Sequence, residues 1–369
     1  MEDPAEAEIK QRGRSDSTAP PEESSDAPAS SRGGIKRKLI RGGIAAGVLV
    51  AVVVGLLTLL PGLHGVRTAI AAASGGWIVA ASGIQLAGIA GAVVFVQLVF
   101  ADVPHRLTWR MGASQMAANV LLPTAGNTAV GYWTLSSIGW GLERFAERTA
   151  VMIIAPTAPN ILLIILFGIG MGIGLFGGPN DWWLTFLPAA IGILIIVVVI
   201  VAARWGHRLA ARTHRHWLQQ GLHVLATGIT GTVEGLRRRN WRVLGTWVEI
   251  LAAIAALWAA LIAVGEHLPF AVVAMGYLIG QVAQVVPVPG GIGAIDAGVT
   301  GALVLYGADL AKATAGELIA HALALLLPLL TGSLAFALLP REIKRTRQHQ
   351  KSKADLEPQT QPPADKSQP

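Results

Sequence analysis

The sequence predicts an all-α polytopic membrane protein with about six full spans and two oppositely oriented, broken hairpins of the re-entrant kind. Three observations carry this expectation. Of 369 residues, 53% are hydrophobic and only 14% charged, a balance rare in soluble domains. Apolar runs longer than about 18 residues, the length that crosses a bilayer as a helix, recur along the chain. Two further apolar stretches are interrupted at their centres by Pro and Gly, one in each half of the chain, an order compatible with an inverted repeat.

Residues 1–34 hold eight acids (Glu2, Asp3, Glu6, Glu8, Asp16, Glu22, Glu23, Asp26) among Pro, Ser and Ala. Such a segment buries too little apolar surface to offset its ordering entropy, so a disordered cytoplasmic tail is expected. The membrane domain is expected over 35–342. Its first apolar run begins only after Arg41, too far from the start for a secretory signal, and reads as a retained anchor. Full spans are expected at 42–60, 77–100, 149–176, 183–203, 243–264 and 314–339, with broken stretches at 111–138 and 270–306. "GIGMGIG" (168–174) lies inside the third span with no preceding strand and no lysine. Its glycines therefore suit close helix packing rather than a nucleotide. Residues 343–369, rich in Gln, Lys and Pro, are expected to form a second disordered cytoplasmic tail.

The formal net charge is +7, but its placement is a topology signal. Lys36, Arg37, Lys38, Arg41, Arg106, Arg110, Arg144, Arg148, Arg341, Lys344, Arg345 and Arg347 fall on one side of the spans. Loops on the other side carry only Arg67, Asp181, Glu266, Asp309 and Lys312. By the positive-inside rule both termini are cytoplasmic, and the Ala-, Gly- and Arg-rich composition fits a bacterial cell membrane. Residues 204–242 add Arg204, Arg208, Arg212, Arg215, Arg237, Arg238, Arg239 and Arg242 against one acid, Glu234. That segment is expected to lie on anionic lipid at the cytoplasmic face, with Trp217 and Trp241 as interfacial anchors. The histidines of "HRLAARTHRHW" (207–217) have no carboxylate beside them and belong to the same amphipathic surface rather than to a metal site. No nucleic acid, metal or cofactor is expected. The absence of cysteine excludes thiolate chemistry. No Walker motif is present, which leaves a proton, the membrane potential or simple facilitation to drive any transport.

The first break reads "NVLLPTAGNTAVGYW" (119–133). Residues 111–122 reach about 18 Å as a helix, too short for a hydrocarbon core of about 30 Å. Arginines flank both ends, so the segment is expected to dip in from the cytoplasm and return. The second break, "VPVPGGIGAIDAG" (286–298), separates stretches 270–286 and 291–306 whose outer ends meet the opposite loops. Each of these is marginally long enough to cross. Broken backbone in a bilayer persists only where protein or a wet cavity satisfies its amides and carbonyls, and half-helix N-termini favour an anionic group.

The candidate binding residues follow. Pro123, Gly126, Pro287, Pro289, Gly290, Gly291 and Gly293 shape the tips. Asn119, Gln281 and Gln284 either meet a cargo or satisfy broken backbone, and Asn127 joins the candidate binding set. Asp296, Glu317 and His321 are ionisable groups at membrane depth, where charge marks function by default; Glu249 is a fourth. Glu317 and His321 are four residues apart and share a helix face. His321 either pairs with Glu317 or meets Asp296 from the facing hairpin, and both arrangements stay open.

"PVPGGIGAIDAGVTGALVLYG" (287–307) resembles the Pro-x-Pro-Gly-Gly-x-Gly-x-x-Glu-x-Gly signature of the lysylphosphatidylglycerol synthase transmembrane-region family of flippase-like proteins. "LLPTAGNTAVGY" (121–132) and "HALALLLPLLTG" (321–332) are similar to two further family segments, so the resemblance covers about residues 40–342. Three departures stand out. The family glutamate after the Gly-Gly turn is Asp296, the arginine that starts the last-helix segment is His321, and Asn127, Thr134 and Ser136 replace charged residues. Fixed charge is thereby removed from the expected cavity. The soluble aminoacyl-transfer domain of the bifunctional members has no counterpart in the residues after the last span, so lipid lysylation is not expected.

The resemblance and the broken hairpins together imply a lipid translocase, not an enzyme, that passes a polar or phosphate-bearing headgroup through a cavity between the hairpins. Two other classes fit parts of the sequence. One is a membrane glycosyltransferase using a polyprenyl-phosphate sugar, with Asp102, Glu143 and Arg144 as candidate groups. The other is a non-transporting partner of envelope-lipid machinery.

Overall fold

A computed structural model describes residues 64–122, 125–179, 181–210, 241–281 and 294–356. All belong to one compact unit, residues 45–369; the other unit, Met1–Ile44, lies outside the described residues. The elements in order are α1 (His64–Ala71), α2 (Gly75–Val99), α3 (His105–Leu121), α4 (Ala125–Ser136), α5 (Leu142–Ile154), α6 (Thr157–Gly172), α7 (Trp182–Ala210), α8 (Leu244–Ala263), α9 (Phe270–Gly280), α10 (Ala294–Leu305) and α11 (Leu310–Leu356). No strand occurs among the described residues. Among the described residues, five stretches are long and apolar enough to cross a membrane: Gly75–Val99, Leu142–Gly172, Trp182–Val201, Trp241–Ala263 and Leu310–Lys353. They answer the five expected spans after the first; the span expected at 42–60 lies outside the described residues.

Lipid tails are as apolar as leucine, so membrane helices associate through close packing of small residues rather than through burial of grease. The contacts follow that rule. α2 and α8 cross with backbones touching: a Cβ on Gly91 would sit 2.8 Å from the Gly245 carbonyl, and one on Gly245 would collide with the Gly91 carbonyl. Gly88 extends the seam against Ala252. α6 meets α7 through Gly168, packed on the Thr185 carbonyl and Ala189. α7 itself leaves Ile193, Leu194, Val197, Val198 and Ile200 exposed, as a lipid-facing helix does.

Both broken stretches fold as antiparallel helix pairs. Each begins after a proline in extended conformation, Pro104 before α3 and Pro269 before α9. In the first pair Gly126 lies on the Ala118 carbonyl so closely that any Cβ would collide, and Gly131 lies under the Gln115 side chain. In the second, Gly276 packs on Leu303 and Gly280 on Val299. The second pair ends on Gly307, whose φ of 97° suits only glycine comfortably. α3 is 17 residues long, not the 12 expected, because the helix starts at His105. It still reaches only about 25 Å.

The hairpins are cross-linked through the helices that follow them. α3 packs along α11, while α9 packs on α6 and α8. α11 passes both hairpins, touching α3 at Gly332 (against Ala113 and Ala117) and also contacting α10. A buried cluster of Phe100, Leu107, Met111, Leu135, Phe145 and Leu339 surrounds the first hairpin, and one of Leu163, Met171, Ile254, Met275 and Leu278 adjoins the second.

Two further boundaries differ from the sequence expectation. The third span opens at Leu142 rather than 149 and is interrupted between α5 and α6 at Ala155 and Pro156, because proline cannot donate the ladder hydrogen bond. The last helix continues to Leu356 with Pro328 and Pro340 inside it, so residues 343–356 of the expected disordered tail are helical. Tertiary contacts order them: Ile343 and Thr346 are buried, and Arg347 donates to the Ser137 carbonyl. Composition alone carries no sign of those partners.

Substituting Gly91→Leu must push α2 off α8, at a cost of about 1–3 kcal/mol for overpacking. The expected result is a lowered melting temperature or loss of the monodisperse species in detergent. Gly83→Leu, where a Cβ meets open space, is the control and should leave both unchanged.

Candidate functional site

The first turn of α10 carries Asp296, and one face of α11 carries Glu317 and His321. Their spacing of four residues stacks the last two side chains, and the packing of α10 on α11 brings Asp296 to them. His321 Nδ1 lies 2.6 Å from Asp296 Oδ1. One donor atom from each of the three residues falls within 4.8 Å of the others. His321 thus meets Asp296 directly, and Glu317 completes the trio rather than sitting in water: it is only 5% exposed. Tyr277 of α9 lies in electrostatic reach of Glu317 and Glu249, and its hydroxyl meets the Gln281 side chain.

The first hairpin carries a separate polar group. Gln115, fully buried in α3, donates from Nε2 to the Asn127 carbonyl at 3.1 Å. Gln115 Oε1 and Asn127 Oδ1 are buried without a hydrogen-bond partner among the described residues. Gly126 is buried at the start of α4, whereas Asn119 is exposed near the end of α3. Gln281 caps α9. Pro123, Gln284, Pro287, Pro289, Gly290, Gly291 and Gly293 lie outside the described residues.

α11 connects the two groups. Arg110 of α3 meets α11 at Leu338 and Glu342, and Ala113 and Ala117 meet it at Gly332. As α3 advances, its partners on α11 therefore step toward His321. From Gly332 to His321 is eleven residues, about 16 Å of helix.

Several polar contacts were not singled out by sequence reading. Glu342 is buried and pairs with Arg110 at 2.9 Å and Arg345 at 3.2 Å. Asp102 Oδ2 takes both Arg144 and Arg148 at 2.9 Å, and Arg148 also donates to the Val99 carbonyl. Arg144 lies over the Trp140 ring, 3.9 Å from its centroid. Asp102 therefore ties the end of α2 to α5. A groove of about 340 Å³ runs between α2, α3 and α11, lined by Leu86, Val93, Trp109, Arg110, Thr331 and Leu338 among others. Gln115 had little local signal, because its helix also carries Arg106, Trp109, Arg110, Ser114 and Asn119.

An all-helical chain with several apolar helices of spanning length and acids held inside them is an integral membrane protein. The family model for the lysylphosphatidylglycerol synthase TM region matches residues 44–332, and the chain belongs to that family. No curated protein matches it.

The ion pairs at the α3–α11 end rank by burial. Removing Arg110, whose partner Glu342 is 4% exposed, leaves a buried carboxylate short of a cation, which is strongly destabilising. Removing the mostly exposed Arg345 costs little. Thermal unfolding in detergent should show Arg110→Ala well below wild type and Arg345→Ala close to it.

Proposed function

We propose that this protein is a lipid translocase of the cell membrane, moving a polar or phosphate-bearing headgroup between two helix hairpins that enter from opposite faces. The observation that carries this reading is the Asp296–Glu317–His321 cluster, held inside apolar elements where the second hairpin meets α11. Ionisable groups at such depth mark a pathway by default. α11 passes both hairpins, so a headgroup moving along it meets Gln115 and Asn127 at one hairpin and the ionisable trio at the other. Polar tips lower the desolvation cost of the headgroup while the acyl chains stay in lipid.

The cross-linking of the hairpins supports an inverted repeat. α2 and α8 each precede a hairpin and cross each other, and each hairpin packs on the helix that follows the other. On this reading both termini are cytoplasmic, and residues 204–242 rest on anionic lipid. Transport rather than chemistry is favoured because Asp102, one of the candidate groups for glycosyl transfer, is shared by two arginines in a structural tie.

Purified protein in liposomes should speed the flipping of headgroup-labelled lipids above the protein-free rate. Asp296→Ala and His321→Ala should return it to that rate at unchanged protein abundance. Full activity in both variants overturns the site, and wild-type flipping no faster than empty liposomes overturns the function.

The topology is testable separately because the chain has no cysteine. A thiol reagent that cannot cross the membrane should label His267→Cys in intact cells and Gln348→Cys only after lysis. The reverse pattern overturns the orientation.

A further inference from the structure

We propose that Asp296, Glu317 and His321 form a binding site for one divalent transition-metal ion of the zinc, cobalt or manganese class. The first argument is geometric. Metal–ligand bonds to carboxylate oxygen and imidazole nitrogen are about 2.0–2.2 Å, so donors around one ion stand about 3.4 Å apart when tetrahedral and about 4.2 Å when opposed. The three donor atoms already lie within 4.8 Å, and small side-chain rotations close the remainder. Two helices supply them, a pair spaced i, i+4 from α11 and one from the first turn of α10, so the ion would pin the second hairpin to the last helix.

The second argument is charge. Asp296 and His321 already share a contact at 2.6 Å. Glu317 remains, 5% exposed, and the charged groups that act on it are Asp296 and His321. No Lys or Arg occurs in α8, α9, α10 or residues 313–340 of α11, so none of these helices provides a cation at this depth. Two carboxylates facing one imidazole in an apolar setting call for a positive ligand. One nitrogen and two oxygens suit zinc, cobalt or manganese, whereas magnesium and calcium favour all-oxygen shells of six or more ligands. The histidines of 207–223 fall outside the site.

This inference does not rest on the transport reading, because its readout is metal and not lipid movement. The full chain, purified without a histidine tag and stripped with chelator, is titrated with Zn²⁺ and, for its ligand-field spectrum, Co²⁺. One equivalent should bind per chain, with a visible Co²⁺ band and a rise in melting temperature. Asp296→Asn, Glu317→Gln and His321→Ala should each weaken binding by more than about tenfold, the loss typical even of groups that merely orient a ligand. Each should also abolish the thermal shift while the metal-free melting temperature stays near wild type. Replacing His207, His214, His216 and His223 together by alanine should change neither stoichiometry nor spectrum. Absence of binding by the wild type, binding indifferent to the three substitutions, or binding lost with the four histidines each overturns the site.

Discussion

The contact on which the rest of the molecule depends is the backbone crossing of α2 and α8 at Gly91 and Gly245. In a bilayer no hydrophobic force holds two helices together, so association rests on how closely the atoms approach. A crossing without side chains at its centre gives the shortest approach available. α2 leads into the first hairpin and α8 into the second, so this one seam sets where both begin. The turns after these helices, 100–104 and 264–269, leave each hairpin little freedom to swing.

The polar inventory divides by what each group does for the fold. Asp102 and Glu342 each bind two arginines, and both lie where helices end or leave the apolar region. Asp102 does so with water beside it, whereas Glu342 relies on its arginines because it is buried. Gln115 and Asn127 keep acceptors without hydrogen-bond partners among the described residues, and buried polar groups left so are costly. A membrane domain tolerates such a cost where a ligand is to be met.

Much of the fold was legible in the sequence because one signal, apolar length, dominates membrane helices. The five spans within the described residues fall within a few residues of expectation at most ends, and one helix ends at Leu121 and the next starts at Ala125, around the expected first break. Asp296 and His321 were legible as charges out of place, but their pairing was not: two geometries satisfied the sequence, and only packing of α10 on α11 selects one. The failures share a cause. Residues 343–356 look like a polar tail by composition, yet Ile343, Thr346 and Arg347 find partners on other elements. Likewise the charged start of α5 reads as loop until Asp102, some 40 residues earlier, is placed beside it. Long-range partners of polar residues leave no local trace.

Pro328 lies between the two points at which α11 meets the hairpins, His321 for the second and Gly332 for the first. A proline inside a helix removes one backbone donor and crowds the carbonyl four residues earlier, here that of Ala324. One of the two proline joints of this helix thus falls between its two anchorages. With Pro340 inside the helix as well, two such joints are built into one continuous helix.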